Sequence, residues 1–359
     1  MDNAIDTSWE IDETVAYNCP NCGAELKFNA DKQRLCCEFC ESEFTISEIA
    51  KTNARENAAA KAENASSYCQ MMNEYSCPNC GAEITADAST VADMCVYCHS
   101  PVVLKGKLSG QMMPDKIIPF RYGKEEAENK FFEFVKNKRF VPKEFKSKQQ
   151  ASLIAGVYYP FWVTDADTIG EYDAAATRLR IWRVGNVEYT ETSKFNIRRR
   201  GNIHFEDIVT SALSEGDKEM LEGILPYPSD SLQPFSMPFL SGFQAKKRDI
   251  ERERLSDEVR SRMNEYAQTL LSRTVSGYNT VNLRSNRVYI MHSNWEYTLM
   301  PVWVLNYVTK KKNYRFAMNG YTGKIYGELP ISFKKLLTVC GVIFAAVAPI
   351  VGLIGGMFL

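Results

Sequence analysis

The sequence predicts an α+β chain. Two small cysteine-knuckle modules are joined by a helix and followed by an α+β body with antiparallel sheets and a C-terminal apolar span. Three observations carry this: a duplicated cysteine pattern near the N-terminus, a long middle region mixing helical and alternating periodicity, and an uncharged final stretch. The expected boundaries are 1–48 for the first module, 49–75 for the linker helix, 76–104 for the second module, 105–330 for the body and 331–359 for the span.

The cysteine modules repeat in detail. The first reads Cys19-Pro-Asn-Cys22-Gly and then Cys37-Glu-Phe-Cys40; the second reads Cys77-Pro-Asn-Cys80-Gly and then Cys95-Val-Tyr-Cys98. In both, 14 residues separate the inner cysteines, and the copies are offset by 58 residues. Two residues between cysteines let both thiolates of a knuckle face one ion, and two knuckles close a tetrahedral four-thiolate site, the structural zinc geometry. A glycine after each first pair supplies the turn that aims amides at sulfur. The expectation is two structural Zn²⁺ ions, held by Cys19, Cys22, Cys37 and Cys40 and by Cys77, Cys80, Cys95 and Cys98. Cys36 competes with Cys37 for the first site, but only Cys37 matches Cys95 and keeps the two-residue gap to Cys40. Cys36, Cys69 and Cys340 are then spare thiols. Structural zinc needs reduced thiols, which points to a reducing compartment.

Between the modules, Thr45 and Glu48 have capping-box spacing, and the alanine-rich stretch to about Ser66 reads as an exposed spacer helix. In the body, Lys124–Lys138 carries Phe131, Phe134 and Val135 at helical spacing. Ile250–Val275 is a longer amphipathic helix, with Leu255, Val259, Met263, Tyr266 and Leu270 on one side. Strands are predicted at 157–164, 177–184, 187–195, 287–292, 300–309, 314–318 and 324–329. Residues 226–238, with four prolines, read as a loop. Turns are expected at 310–313 and 319–323, the latter with two glycines. VYYPFWVT (157–164) and TLMPVWVL (298–305) look alike, suggesting two related halves.

Residues 336–359 contain no charged side chain. That 24-residue stretch exceeds the ~20 residues a helix needs to span a hydrocarbon core, and Lys334 and Lys335 precede it on what would be the cytoplasmic side. The pattern predicts a transmembrane tail anchor contacting membrane lipid, and single-pass placement in the cell membrane with the N-terminal bulk in the cytoplasm. No signal peptide is evident in the acidic first 18 residues. Pro349 could kink the span. Ala348, Gly352 and Gly356 recur every four residues, as where membrane helices approach closely.

Composition narrows the function. Residues 1–48 carry eleven carboxylates against Lys27, Lys32 and Arg34, a net −8 before zinc is counted. Affinity for nucleic acid rests mainly on cations that neutralise phosphates, so this module argues against that partner. Only three histidines occur, His99, His204 and His292, and no phosphate loop or serine elbow accompanies them. Asp165 and Asp167 read as turn or surface acids. Arg198–Arg200, Lys246–Arg248 and Lys310–Lys312 read as solvated basic clusters. No catalytic residue and no small-molecule substrate is indicated, so an enzyme is not expected.

The CPNCG knuckles, YYPFW, LMPVWVLNY and the FAMNGYTGKIYGELP hairpin together resemble a bacterial family of membrane-anchored zinc-ribbon proteins. Its members are often labelled transcription-factor-IIB-type zinc ribbon proteins or primosomal helicases. The resemblance spans roughly the full length and is most specific in NGYTGKIYGELPIS. It implies a membrane-stress role beside phage-shock-protein-A-like and flotillin-type (SPFH) partners. The helicase label finds no support, because no Walker A sequence is present. The leading expectation is a membrane-anchored cytosolic zinc-ribbon adaptor for protein–protein interaction; the alternative is a zinc-ribbon nucleic-acid-binding regulator.

Overall fold

The middle of the chain is organised by strands far longer than the sequence segments suggested. A computed structural model describes residues 17–49, 72–79, 81–87, 95, 100, 102–107, 113–136, 138–142, 145, 153–214, 218–308, 313–329 and 331–356. The first module holds β1 (Leu26–Asn29), β2 (Arg34–Cys37) and β3 (Glu43–Phe44), and the second holds β4 (Met72–Ser76), β5 (Glu83–Asp87) and β6 (Val103–Lys107). The body runs β7 (Lys116–Ile117), α1 (Lys124–Lys136), β8 (Ala155–Val184), β9 (Val187–Ser211) and α2 (Lys218–Gly223). It continues with β10 (Gln233–Pro234), β11 (Gln244–Lys246), α3 (Arg252–Ser272), β12 (Thr280–Val308), β13 (Asn313–Asn319), β14 (Ile325–Gly327) and α4 (Phe333–Gly356). The expected linker helix (49–75) and the 310–313 turn fall largely outside the described residues.

The predicted strands 157–164 and 177–184 are one strand, β8, and 287–292 and 300–309 belong to one strand, β12. The sequence hid this because the core-facing positions of the intervening DADTIGEYDAAA are small apart from Tyr172, while Ile169 lies on the other face. Its alternation is nevertheless strict: Ala166, Thr168, Tyr172, Ala174 and Ala176 are buried, while the residues between them point away. The buried face is lined with small side chains because α3 lies close against it. At Gly170 an added Cβ would sit 2.8 Å from Ile203 Cδ1 and 3.2 Å from Leu271 Cδ1. Gly170→Val should therefore destabilise the protein by roughly 1–3 kcal/mol through overpacking, although valine is the better strand former. A urea titration at constant m-value checks this, and a neutral result would mean that the Ile203 and Leu271 side chains can turn aside.

β8 is the spine. It pairs antiparallel with β9 on one side and with β12 on the other. The two look-alike segments meet there, Val157 opposite Val302 and Tyr159 opposite Met300. The sheet extends in the order β10-β7-β12-β8-β11-β5-β4-β6. The second module is thus continuous with the body, because β5 pairs with β11 through Thr85 and Ala245. Phe120 fastens the core beside the spine, contacting Tyr158, Phe243 and Trp303 at centroid distances of 5.0, 4.3 and 5.0 Å.

The first module packs onto the same core. Ser241 donates its hydroxyl to Leu26 O (2.7 Å), Gln33 Nε2 donates to Phe120 O (2.6 Å), and Phe28 meets Phe239 edge-on at 5.4 Å. Asp31 Oδ1 accepts the Gly123 N–H at 2.8 Å, which places a carboxylate at the positive end of α1.

The C-terminal expectation needs correction. Residues Phe333–Gly356 do form α4, but among the described residues no helix is long and apolar enough to cross a membrane. The predicted transmembrane tail anchor over 336–359, and with it the single-pass cell-membrane placement, is not upheld. The helix start is tied to the body: Ser332 N–H donates to Phe140 O (2.7 Å) and Lys335 Nζ to Val141 O (2.6 Å).

Candidate metal centre

The first cysteine set is assembled by two tight turns facing each other. In one, Cys19 N–H donates to Ala24 O (2.6 Å) and Gly23 N–H to Cys19 O (2.8 Å); in the other, Cys37 N–H donates to Ser42 O (2.9 Å) and Glu41 N–H to Cys37 O (3.0 Å). Gly23, at φ 75°, takes the left-handed conformation that the first turn needs. Asn21 Nδ2 ties the turns together by donating to Ser42 Oγ at 2.9 Å.

The result is a four-thiol cluster. Cys19, Cys22, Cys37 and Cys40 bring their sulfurs within 4.8 Å of one another, with Cys19–Cys40 and Cys22–Cys37 at 3.5 Å each. A zinc tetrahedron with 2.3 Å bonds has edges of about 3.8 Å, so the cluster fits such an ion. Among the described residues it is the only group of His, Cys, Asp and Glu side chains close enough to hold a metal. Cys37 is buried, whereas Cys36 lies one strand position away on the opposite face and is not in the cluster. The choice of Cys37 over Cys36 follows from this pleat.

The electrostatics fit a dication. Hydrogen bonds from the Ser42 hydroxyl and then its backbone N–H pull the Cys40 thiol down to about 6. The Ala24 N–H also lowers the Cys22 thiol, but shared protons with Cys40 and Cys37 push it up to about 12. Four thiols this close cannot all ionise by themselves, and a bound zinc ion removes that conflict.

For the second set, Cys77 and Cys95 are described and buried, while Cys80 and Cys98 lie outside the described residues, as do His99 and Cys69. The visible scaffold repeats the first. Cys77 N–H donates to Ala82 O (2.9 Å), Gly81 N–H to Cys77 O (2.9 Å) and Cys95 N–H to Ser100 O (2.8 Å). Asn79 Nδ2 donates to Ser100 Oγ at 3.1 Å, and Gly81 has φ 74°.

Several acidic and histidine residues have partners that the sequence did not show. Glu38 pairs with Lys27 at 3.0 Å and Glu43 with Lys32, so the acidic face of the first module is partly neutralised within itself. Glu48 and Thr45 close the predicted capping box, Thr45 N–H to Glu48 Oε2 at 2.7 Å and Glu48 N–H to Thr45 Oγ1 at 3.2 Å. Of the two readings as turn or surface acids, the structure supports the second for Asp167, which is exposed; both aspartates are mid-strand, and Asp167 stands opposite His204 on β9 and His292 on β12. No sequence spacing foretold that meeting, because three separate strands create it. Arg200–Glu171 (3.3 Å) and Arg198–Asp173 (3.0 Å) continue the row, so a central acidic strand is zipped to a basic one.

His204 Nδ1 lies 2.7 Å from Asp167 Oδ1, and this hydrogen bond holds the imidazole above its ordinary value of 6.5. Because the folded-state value is raised, the bond contributes fully below pH ~6.5 and its contribution disappears as pH rises through the raised value. An NMR titration of full-length protein should find His204 above 6.5, and Asp167→Asn should return it toward that value.

The chain is 32% identical to "Uncharacterized protein YdjG" of Bacillus subtilis (strain 168) over 348 residues, 96% of this chain and 99% of that one. The chain belongs to the YdjG family. No family model and no solved structure matches it. The match to YdjG is end to end, so the kinship covers the body as well as the cysteine modules.

Proposed function

We propose that the protein is a zinc-dependent adaptor, in which two structural Zn²⁺ ions hold cysteine modules against a continuous β platform where protein partners dock. The observation that carries this is the repeated knuckle scaffold: the same backbone bonds and the same Asn–Ser clasp recur 58 residues apart. The second ion would be held by Cys77, Cys80, Cys95 and Cys98. Both modules share sheet or core with the body, which suits a metal that shapes a docking surface. By the resemblance drawn from the sequence, the partners are phage-shock-protein-A-like or SPFH-type proteins.

A pull-down from cells, using full-length protein and a variant reversed at Glu38, Glu41 and Glu43, tests the docking. The variant keeps all eight ligands, so zinc content should stay at two ions. Capture of the partner should fall, and wild-type capture should weaken as salt rises. Unchanged capture with intact zinc would remove the first module from the docking surface.

The alternative, a nucleic-acid-binding regulator, has one feature in its favour. The exposed tip of the β8–β9 hairpin carries Arg180 over Trp182 (5.6 Å) and a Trp182–Tyr189 stack (5.7 Å). Arginine and aromatic rings of this kind serve nucleic-acid stacking. A gel shift whose affinity falls steeply with salt would favour that reading; no shift at low salt would retire it.

A further inference from the structure

The outer edge of β9 is open. β9 pairs with β8 on one side, and among the described residues no strand pairs with its other side. Arg262 Nη1 donates to Val209 O at 2.9 Å, which covers the C-terminal part; residues 188–204 remain as a long open edge. Such an edge is a ready template for another strand. The hairpin tip is also thin. β12 stops pairing with β8 at Thr280 opposite Thr177, so Arg178–Ser193 is a two-stranded arm. Isolated two-stranded hairpins are marginal in water, yet this one exposes Ile181, Val184, Val187 and Tyr189.

The direction of the free groups follows from the turn. Val184 opposes Val187 across a two-residue turn in which Gly185 has φ 61°. A two-residue hairpin starts with a hydrogen-bonded pair, and such pairs alternate from there. Odd-numbered residues of β9 therefore bond to β8, and even-numbered residues from Glu188 to His204 turn their N–H and C=O outward. The Arg198 carbonyl agrees: it faces out far enough to accept Arg199 Nη1 at 2.9 Å.

We propose that β9 pairs antiparallel with β9 of a second copy of this chain, with the two-fold axis at Phe195. Charge sets this register. Centred on Phe195, Glu191 faces Arg199 of the second copy, at a non-hydrogen-bonded position where side chains approach closest. Lys194 faces Asn196, Thr192 faces Arg198, and Glu188 faces Asn202. A shift of the axis by one residue puts Lys194 against Lys194 or against Arg198, and opposed like charges destabilise a pair. The second copy supplies the thin arm with its third strand. Arg199 exchanges its contact with the neighbouring Arg198 carbonyl for a carboxylate, and that carbonyl then accepts from the second copy's Thr192 N–H. The interface is isologous and closed, so it yields a dimer rather than a fibre.

The test is sedimentation velocity on zinc-loaded full-length protein, comparing Glu191→Arg, Arg199→Glu and the double swap. Each single variant should raise the dimer dissociation constant about tenfold or more, since it places like charges at both symmetric contacts. The double swap should restore most of the affinity, and that rescue shows the single variants are not merely misfolded. Asn196→Pro removes an outward N–H and should also weaken the dimer, with zinc content unchanged. A wild type that is monomeric, or self-association indifferent to all three charge variants, overturns the proposal.

Discussion

Cys37→Ser is expected to lose one zinc ion and to unfold the first module, while Cys36→Ser keeps both ions and wild-type stability. The difference is large because a structural zinc site contributes on the order of 10–16 kcal/mol of apparent binding energy, while whole domains are stable by only about 5–15 kcal/mol. The two substitutions remove the same atom from adjacent residues of β2. Only the Cys37 sulfur lies in the four-thiol cluster, 3.5 Å from Cys22. Loss should spread beyond the module, because Cys19, Leu26, Leu35 and Cys37 belong to the same buried cluster as Phe239 and Leu240 of the body. Cys95→Ser should mirror the effect at the second site. Acid should do the same to both sites at once: ligands must be thiolates, so protonation as pH falls competes with the metal. Elemental analysis alongside thermal unfolding measures all of this. One ion in the wild type, or loss of an ion in Cys36→Ser, would defeat the ligand assignment.

The first cysteine cluster was readable because metal ligation is a local demand: two residues between thiolates and a glycine in the turn are written in consecutive letters. The amphipathic α3 was readable for the same reason in its first half, where Leu255, Val259 and Met263 are buried; further on, Ala267 and Leu271 face the core in place of the expected Tyr266 and Leu270, which are exposed. The long strands were not. From Asp165 to Ala176 the core face of β8 is alanine, threonine, glycine and a single tyrosine, and their burial depends on a helix more than eighty residues away. The Asp167–His204–His292 meeting was invisible for a related reason, since register across three strands is set by the whole sheet. The tail shows the opposite failure. Its uncharged composition predicted a span, yet no helix among the described residues is long and apolar enough for one. The acidity of the first module misled in part too, because Lys27 on β1 and Lys32 in the β1–β2 turn each neutralise a carboxylate eleven positions away, Glu38 just past β2 and Glu43 on β3.

Phe28→Ala is expected to cost about 3–5 kcal/mol, the usual range for emptying a buried aromatic site, and to leave zinc stoichiometry untouched. Phe28 lies on β1, away from the four ligands, and its ring is buried against Phe239. Truncation opens a cavity between module and body and removes an aromatic pair worth about 0.5–1.5 kcal/mol beyond its area. The knuckles should hold their ion, because their turns are closed by their own backbone bonds. What should weaken is the docking. Hydrogen exchange should speed up at Ser241 and Phe243, whose segment meets β1 through the Ser241–Leu26 and Phe28–Ser241 hydrogen bonds, and chelator should strip the first site faster than the second. A module that merely hangs from the body would respond differently. Its truncation would leave exchange in 239–244 unchanged and both sites equally slow to release metal. That outcome would return the first ribbon to the status of an independent arm, and with it the idea that zinc shapes the platform on which partners dock.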